Sequence, residues 1–213
     1  MMEHPTRESY SQLNQDILAL DYFKNKEGGY FVDIGANDGK SLSNTYLLEK
    51  EYHWKGICVE PLQKEFKMCQ ECRPNSICVN KCIYNVEKEI EFSEIDGTNN
   101  MYSGIKKDIN HHKHIVDHDA ITTKKESITF TTLLDNCNCP RIIDFLSLDT
   151  EGSELKILHS LNHDKYKFRY ITLEHNYKEP IRSFIRDFLI GKGYQYVGQN
   201  QWDDIYSGSW SSS

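Results

Sequence analysis

The run Tyr30-Phe31-Val32-Asp33-Ile34-Gly35-Ala36-Asn37-Asp38-Gly39 joins a short apolar segment to an acid, an amide and two glycines. The apolar half suits a buried strand and the polar half a tight turn at its end. Gly35 and Gly39 lack a Cβ, so a ligand can press against the backbone and a positive φ costs little there. Asp33 puts negative charge where free amides would otherwise draw an anion, whereas a phosphate-binding loop leaves its amides to the ligand. Neither Gly-x-Gly-x-x-Gly nor Gly-x-x-x-x-Gly-Lys-Ser/Thr occurs at this turn, so a dinucleotide or P-loop fingerprint is missing. The turn suits a ligand that carries an ammonium.

Other apolar runs also end on polar residues. Glu60 follows Gly56-Ile57-Cys58-Val59, Asn80 follows Ile77-Cys78-Val79, Asp149 follows Ile142–Leu148, and Glu174-His175 follow Tyr170–Leu173. Singly, each reads equally well as a helix cap or a loop acid. Together with Asp33 they suggest one site beyond the carboxyl ends of a parallel sheet, where ligands of open α/β sheets sit. A polar stretch around His111, His112, His114 and His118 has helical ligand spacing. It reads either as an acceptor-binding lid or second metal site, or as a solvated insertion.

The elements that must position these residues alternate. Helical spacing covers Ser11 to Asn25, Ser43–Lys50 and Leu62–Cys72, with strands at Phe31–Ile34, Gly56–Val59 and Ile77–Asn80 between and after them. From about Ile83 to Thr132 the rhythm breaks into short strand-like pieces, Ile90–Glu94 and Ile128–Thr131, within a polar insertion. It resumes with strand Ile142–Leu148, helix Ser153 to Leu161, strand Tyr170–Leu173, helix Ile181–Ile190, and strands Tyr194–Val197 and Asp204–Tyr206. The expectation is an α/β fold: about seven strands, mostly parallel, covered by helices on both faces. One domain over residues 1–206 and a flexible tail over 207–213 are expected, with the domain cut from a longer chain as an option.

At 213 residues, net charge −7 and pI near 5.7, the chain is large enough for one core and is acidic, which argues against a nucleic-acid backbone as its main partner. No membrane-length apolar stretch and no secretory pattern is read in it, so no membrane span is expected. An odd set of seven cysteines suggests reduced thiols in a cytoplasm-like compartment. The spacing Cys69-x-x-Cys72 with Cys78-x-x-x-Cys82 allows a zinc site, although small core residues fit these positions better.

The chain resembles the FkbM family of S-adenosylmethionine (SAM)-dependent methyltransferases. The resemblance rests on Gly29–Gly39, Ser43–Glu49, Trp54–Pro61, Thr172–Asn176 and the run Ile143-Asp144-Phe145-Leu146-Ser147-Leu148-Asp149-Thr150-Glu151-Gly152-Ser153-Glu154, along with Ser11–Asp16 at the start. It implies a class I, Rossmann-like methyltransferase fold with a seven-stranded sheet and an antiparallel C-terminal hairpin. It also implies SAM as methyl donor and a hydroxyl acceptor, commonly on a sugar or polyketide.

Mapped onto this chain, the resemblance places Asp33, Gly35, Ala36, Asn37, Asp38 and Gly39 around the SAM aminoacyl end. Glu60 is expected to accept hydrogen bonds from the ribose diol, because two carboxylate oxygens match two hydroxyls. Pro61 or Leu62 packs on the adenine, and Asn80 to Cys82 lie near its edge. Asp149 stands beside the transferable methyl, with Glu151, Glu174 and His175 nearby. His175 is the expected base at neutral pH. Alternatively, Asp149 and Glu174 with His175 or Asn176 hold a Mg²⁺ that activates the acceptor. Met101–Asp119 is expected at the entrance, with Tyr102 and Ser103 as acceptor contacts and Trp54 or Trp202 stacking on a sugar ring. Methylation of nitrogen or of a small natural product, and a binding module without turnover, are the competing readings.

Overall fold

A computed structural model of the chain describes residues 7–109 and 113–210. Its first part contains α1 (Gln15–Tyr22), β1 (Tyr30–Ile34), α2 (Tyr46–Tyr52), β2 (Lys55–Val59), α3 (Gln63–Cys72) and β3 (Ile77–Val79). Then come β4 (Cys82–Ile83), β5 (Glu89–Glu94), a 3₁₀ turn (Gly97–Tyr102), β6 (Gly104–Ile105), α4 (Lys113–Asp119) and β7 (Ile121–Ile128). The last part holds α5 (Phe130–Asn136), β8 (Ile142–Leu148), α6 (Glu154–His159), β9 (Lys167–Glu174), α7 (Ile181–Gly191), β10 (Gln195–Asn200) and β11 (Asp203–Ser207).

Seven strands form one sheet in the order β3-β2-β1-β8-β9-β11-β10. The five strands from β3 to β9 run parallel, and β11 is antiparallel to both β9 and β10. This is the class I methyltransferase fold, with its C-terminal antiparallel hairpin. The central strands are apolar on both faces because both faces are covered. On one face Val32, Ile34, Ile57 and Leu146 pack with Leu133 of α5, Ile157 of α6 and Ile185 and Leu189 of α7. On the other, Phe31, Cys58, Phe145 and Tyr170 pack with Ala19 and Leu20 of α1, Leu47 and Leu48 of α2, and Trp54.

The middle of the chain is more regular than its polar sequence suggests. β4, β7, β5 and β6 form a separate four-stranded sheet around Leu62, Cys82, Tyr84, Ile90, Phe92 and Ile105. The strand expected over Ile128–Thr131 stops at Ile128, because Thr129 Oγ1 accepts the Thr132 amide proton and caps α5. The first helix starts at Gln15 rather than Ser11. Buried Asp16 gathers the preceding chain, accepting from Ser11 Oγ at 2.8 Å and from the Tyr10 amide at 2.8 Å.

The expected flexible tail is docked as far as Trp210, whose Nε1 donates to the Phe168 carbonyl at 2.9 Å. Residues 211–213 lie outside the described residues. All seven cysteines are free. The cysteines act as the better-fitting reading had them and not as a zinc quartet: Cys69 and Cys78 meet in the core with their sulfurs 3.8 Å apart, Cys72 faces the Asp38 carbonyl, and Cys82 lines the cavity described below. Among the described residues, no helix is long and apolar enough to cross a membrane.

Candidate active site

A cavity of about 420 Å³ opens at the carboxyl ends of β1, β2, β8 and β9. That size suits a cofactor-sized ligand. The second sheet and the 3₁₀ turn supply the facing wall through Cys82, Phe92, Met101, Tyr102, Ser103 and Gly104.

At one end lie Asp33, Gly35, Ala36, Asn37, Glu60 and Pro61. Asp33 is buried, and its Oδ2 accepts from Thr45 Oγ1 at 2.7 Å. Burial raises its pKa, against the opposing pull of Thr45 and Arg73. Glu60 is tied down on both sides, Oε1 accepting the Leu62 amide at 2.7 Å and Oε2 the Asn37 amide at 2.9 Å. Burial outweighs these bonds and pushes its pKa up to about 7. Each oxygen keeps a lone pair for a donor from the cavity. Two anchored acids beside a glycine turn could receive donor groups from a ligand in the cavity.

At the other end stand Asp149, Glu151 and Glu174, with one oxygen of each lying within 4.8 Å of the others. Asp149 and Glu174 end neighbouring strands in register, where Leu148 pairs with Leu173. Glu151 follows in a left-handed conformation with φ of 59°. Asp149 opens to the cavity, while Glu151 and Glu174 are buried. Burial raises the pKa of Glu151 and Glu174, and the nearby carboxylates raise both further. These three residues could hold a metal ion.

Several expected site residues are elsewhere. His175 does not reach the cavity. Successive residues at a strand end point to opposite faces, so Glu174 turns inward and His175 turns toward β11 and α7. There its Nδ1 accepts the Tyr177 amide at 2.9 Å and its Nε2 lies 3.5 Å from Asp204 Oδ1. Burial lowers its pKa. His175 is therefore placed neither as base nor as metal ligand.

Asp38 does not line the cavity. Its Oδ1 accepts the Lys40 and Ser41 amides and shapes the turn. A Cβ on Gly39 would fall 2.7 Å from Cys69 Sγ, so this glycine serves packing against α3. Asn80 turns its amide to the Glu60 carbonyl at 2.8 Å, leaving Cys82 as the residue of that strand end in the cavity. Trp54 is fully buried with its Nε1 bonded to Lys26, whereas Trp202 lines the cavity. Of the described residues of the Met101–Asp119 stretch, only 101–105 line it. His114 and His118 sit on α4, away from the cavity, and His111 and His112 lie outside the described residues.

Other contributors were not foreseen. Asn100 joins the wall to the turn after β1 and to α3, its Nδ2 donating to Asn37 Oδ1 at 3.4 Å and to Glu65 Oε1 at 2.9 Å. Arg73, almost wholly buried, donates to Glu49 at 2.7 Å, to the Gly39 carbonyl at 2.9 Å and to Thr45 Oγ1 at 2.9 Å. An arginine directly after a helix, next to a proline, gave no sign that it would be interior. Gln12 reaches the cavity from the N-terminal segment, where the Ser-Gln run was the available hint.

Three solved structures show the fold. The chain is similar to the METTL16 MTase domain, with a TM-score of 0.54 at 13% identity over 98% of this chain and 71% of that one. It is similar to the precorrin-6y C5,15-methyltransferase from Geobacter metallireducens GS-15, with a TM-score of 0.52 at 11% identity over 97% and 94% of the two chains. The human methyltransferase 10 domain containing protein gives 0.50 at 13% identity over 93% and 82%. No curated protein sequence matches the chain. Residues 33–196 match the methyltransferase FkbM domain, a span that runs from Asp33 in β1 to β10 and takes in both ends of the cavity, and the chain belongs to that methyltransferase family.

Proposed function

We propose that the protein transfers a methyl group from SAM to a hydroxyl, most naturally one on a sugar or glycan. The observation that supports this reading is the division of one cavity into two acidic ends. Asp33, the Gly35–Asn37 backbone and Glu60 form the cofactor end, and Asp149, Glu151 and Glu174 form the acceptor end. SAM supplies a methyl group already activated on a sulfonium. The chain's part is to hold donor and acceptor in line and keep the acceptor oxygen oriented.

In this reading Asp33 receives the ammonium, with Thr45 keeping its carboxylate in place. Glu60 receives the ribose hydroxyls, while Pro61 and Leu62 face the adenine and Cys82 its edge. Asp149 and Glu174 engage the acceptor hydroxyl. Tyr102 and Ser103, at the end of the 3₁₀ turn, and Trp202, between β10 and β11, contact the remainder of the acceptor, and Trp202 offers an aromatic face to a sugar ring. The acidic lining and net charge of −7 disfavour a phosphate backbone as acceptor.

The test is calorimetric titration of S-adenosylhomocysteine into wild-type protein, Asp33→Ala and Glu60→Ala, followed by transfer of labelled methyl from SAM to a panel of sugars. Micromolar binding lost in both variants, with label on a sugar oxygen, supports the reading. Folded wild-type protein that binds no S-adenosylhomocysteine defeats it, and label found only on nitrogen acceptors replaces the hydroxyl with an amine.

A further inference from the structure

Resting on that reading, we infer that Asp149, Glu151 and Glu174 form a site for one hard divalent cation, Mg²⁺ or Mn²⁺, at the acceptor end of the cavity. Each residue offers an oxygen, and the three oxygens lie within 4.8 Å of one another, a spacing that a single ion can bridge. No ion pair of the described residues involves any of the three. The nearby cations are engaged elsewhere, Lys156 with Asp108 and both Arg182 and Arg186 with Asp204.

A second observation is the state of Glu151. It is only 9% exposed, it lines the cavity, and its Oε2 is buried with no hydrogen-bond partner. The same turn shows that the fold readily satisfies an acid when it is structural. Glu154 Oε1 accepts from the Thr150 amide at 2.9 Å, from Thr150 Oγ1 at 2.8 Å and from the Gly152 amide at 3.1 Å. Glu151, two residues after Asp149, receives no such support. A buried carboxylate without a partner is costly, and a cation shared with two neighbouring carboxylates removes that cost. Three carboxylate oxygens favour a hard ion over zinc or copper and leave coordination positions for an acceptor oxygen and water.

This ligand set differs from the one expected from the sequence, with Glu151 taking the place of His175. An acceptor hydroxyl on the cation becomes more acidic, and its proton passes to water. Its oxygen then forms the O–C bond as the C–S bond of the sulfonium breaks, releasing neutral S-adenosylhomocysteine.

The experiment is Mn²⁺ titration followed by electron paramagnetic resonance, with and without saturating S-adenosylhomocysteine, on wild-type, Glu151→Gln, His175→Ala and Glu60→Gln proteins. Thermal unfolding checks that each is folded. One Mn²⁺ per chain is expected, displaced by excess Mg²⁺. Glu151→Gln should weaken Mn²⁺ at least about tenfold while changing S-adenosylhomocysteine affinity less than about twofold, a loss of one charged ligand from three. His175→Ala should bind Mn²⁺ like wild type. Glu60→Gln should weaken S-adenosylhomocysteine and leave Mn²⁺ alone, so failure of the cofactor reading is separable from failure of the cation site. Absence of Mn²⁺ binding to folded wild-type protein in both conditions overturns the inference, as does equal binding by Glu151→Gln.

Discussion

Gly35 and Asp149 touch through their backbones: a Cβ added to Gly35 would sit 1.9 Å from the Asp149 carbonyl oxygen. The Asp149 amide also donates to the Ile34 carbonyl at 3.1 Å. The glycine turn after β1 and the acid turn after β8 are thus one packed unit, although more than a hundred residues separate them. Gly35 has φ of 97°, which adds a conformational demand to the steric one. The expected outcome for Gly35→Ala is destabilisation of about 3 kcal/mol, because neither contacting group is a flexible side-chain end. Urea unfolding measures it, and a change under about 1 kcal/mol would refute this view of the contact.

Arg73 reaches Asp33 at second hand. Its Nη2 donates to Thr45 Oγ1, which donates to Asp33 Oδ2. Thr45→Val removes the link and leaves Asp33 one partner short, at a cost of about 1–3 kcal/mol. Affinity for S-adenosylhomocysteine should fall about tenfold, with Thr45→Ser restoring most of it. Arg73→Met strands buried Glu49 and should cost about 3–5 kcal/mol of stability. Calorimetry and urea unfolding read the two effects separately, and unchanged affinity in Thr45→Val would remove Thr45 from the positioning role.

With the ribose diol on Glu60, as proposed above, cofactor binding is expected to depend on pH. Burial raises its pKa from 4.5 to about 7 in the folded protein. The folded chain therefore holds a proton that the unfolded chain releases across this window, so the group's contribution to stability is full below about pH 4.5 and lost as pH rises to about 7. Hydroxyl donors from a ribose favour the ionised form. Binding of S-adenosylhomocysteine should then expel roughly half a proton at about pH 7, and affinity should rise between about pH 6 and pH 8. Calorimetry in buffers of different ionisation enthalpy counts the proton. Release that persists in Glu60→Gln would assign it to another group.

His175 offers a negative control with a defined structural cost. Its Nδ1 accepts the Tyr177 amide, which His175→Ala leaves unpaired, at about 1–2 kcal/mol of stability. Methyl transfer by this variant should stay within about twofold of wild type once the lower stability is allowed for, since the imidazole lies outside the cavity. A loss of about a hundredfold or more, the scale of a missing general base, would show that the ring swings inward during turnover.

The sequence by itself determined the strands and their polar ends. Strands buried on both faces must be short apolar runs, and the chain breaks them at Asp33, Glu60, Asp149 and Glu174, all of which line the cavity. Local pattern was sufficient there because strand period and turn chemistry are written in neighbouring residues.

Tertiary structure alone decided which side of a strand end faces the ligand. Glu174 and His175 are adjacent and equally polar, yet only one enters the cavity, because sheet register sets direction and register depends on distant partners such as Asp203 opposite Glu174. Only the packed fold could turn a polar insertion into a second sheet that walls the cavity, or bury Arg73 beneath the glycine turn after β1. The convergence of Glu151 with Asp149 and Glu174 belongs to the same class: spacing along the chain lists the acids, and only the side-by-side pairing of β8 with β9 brings their oxygens within reach of one another.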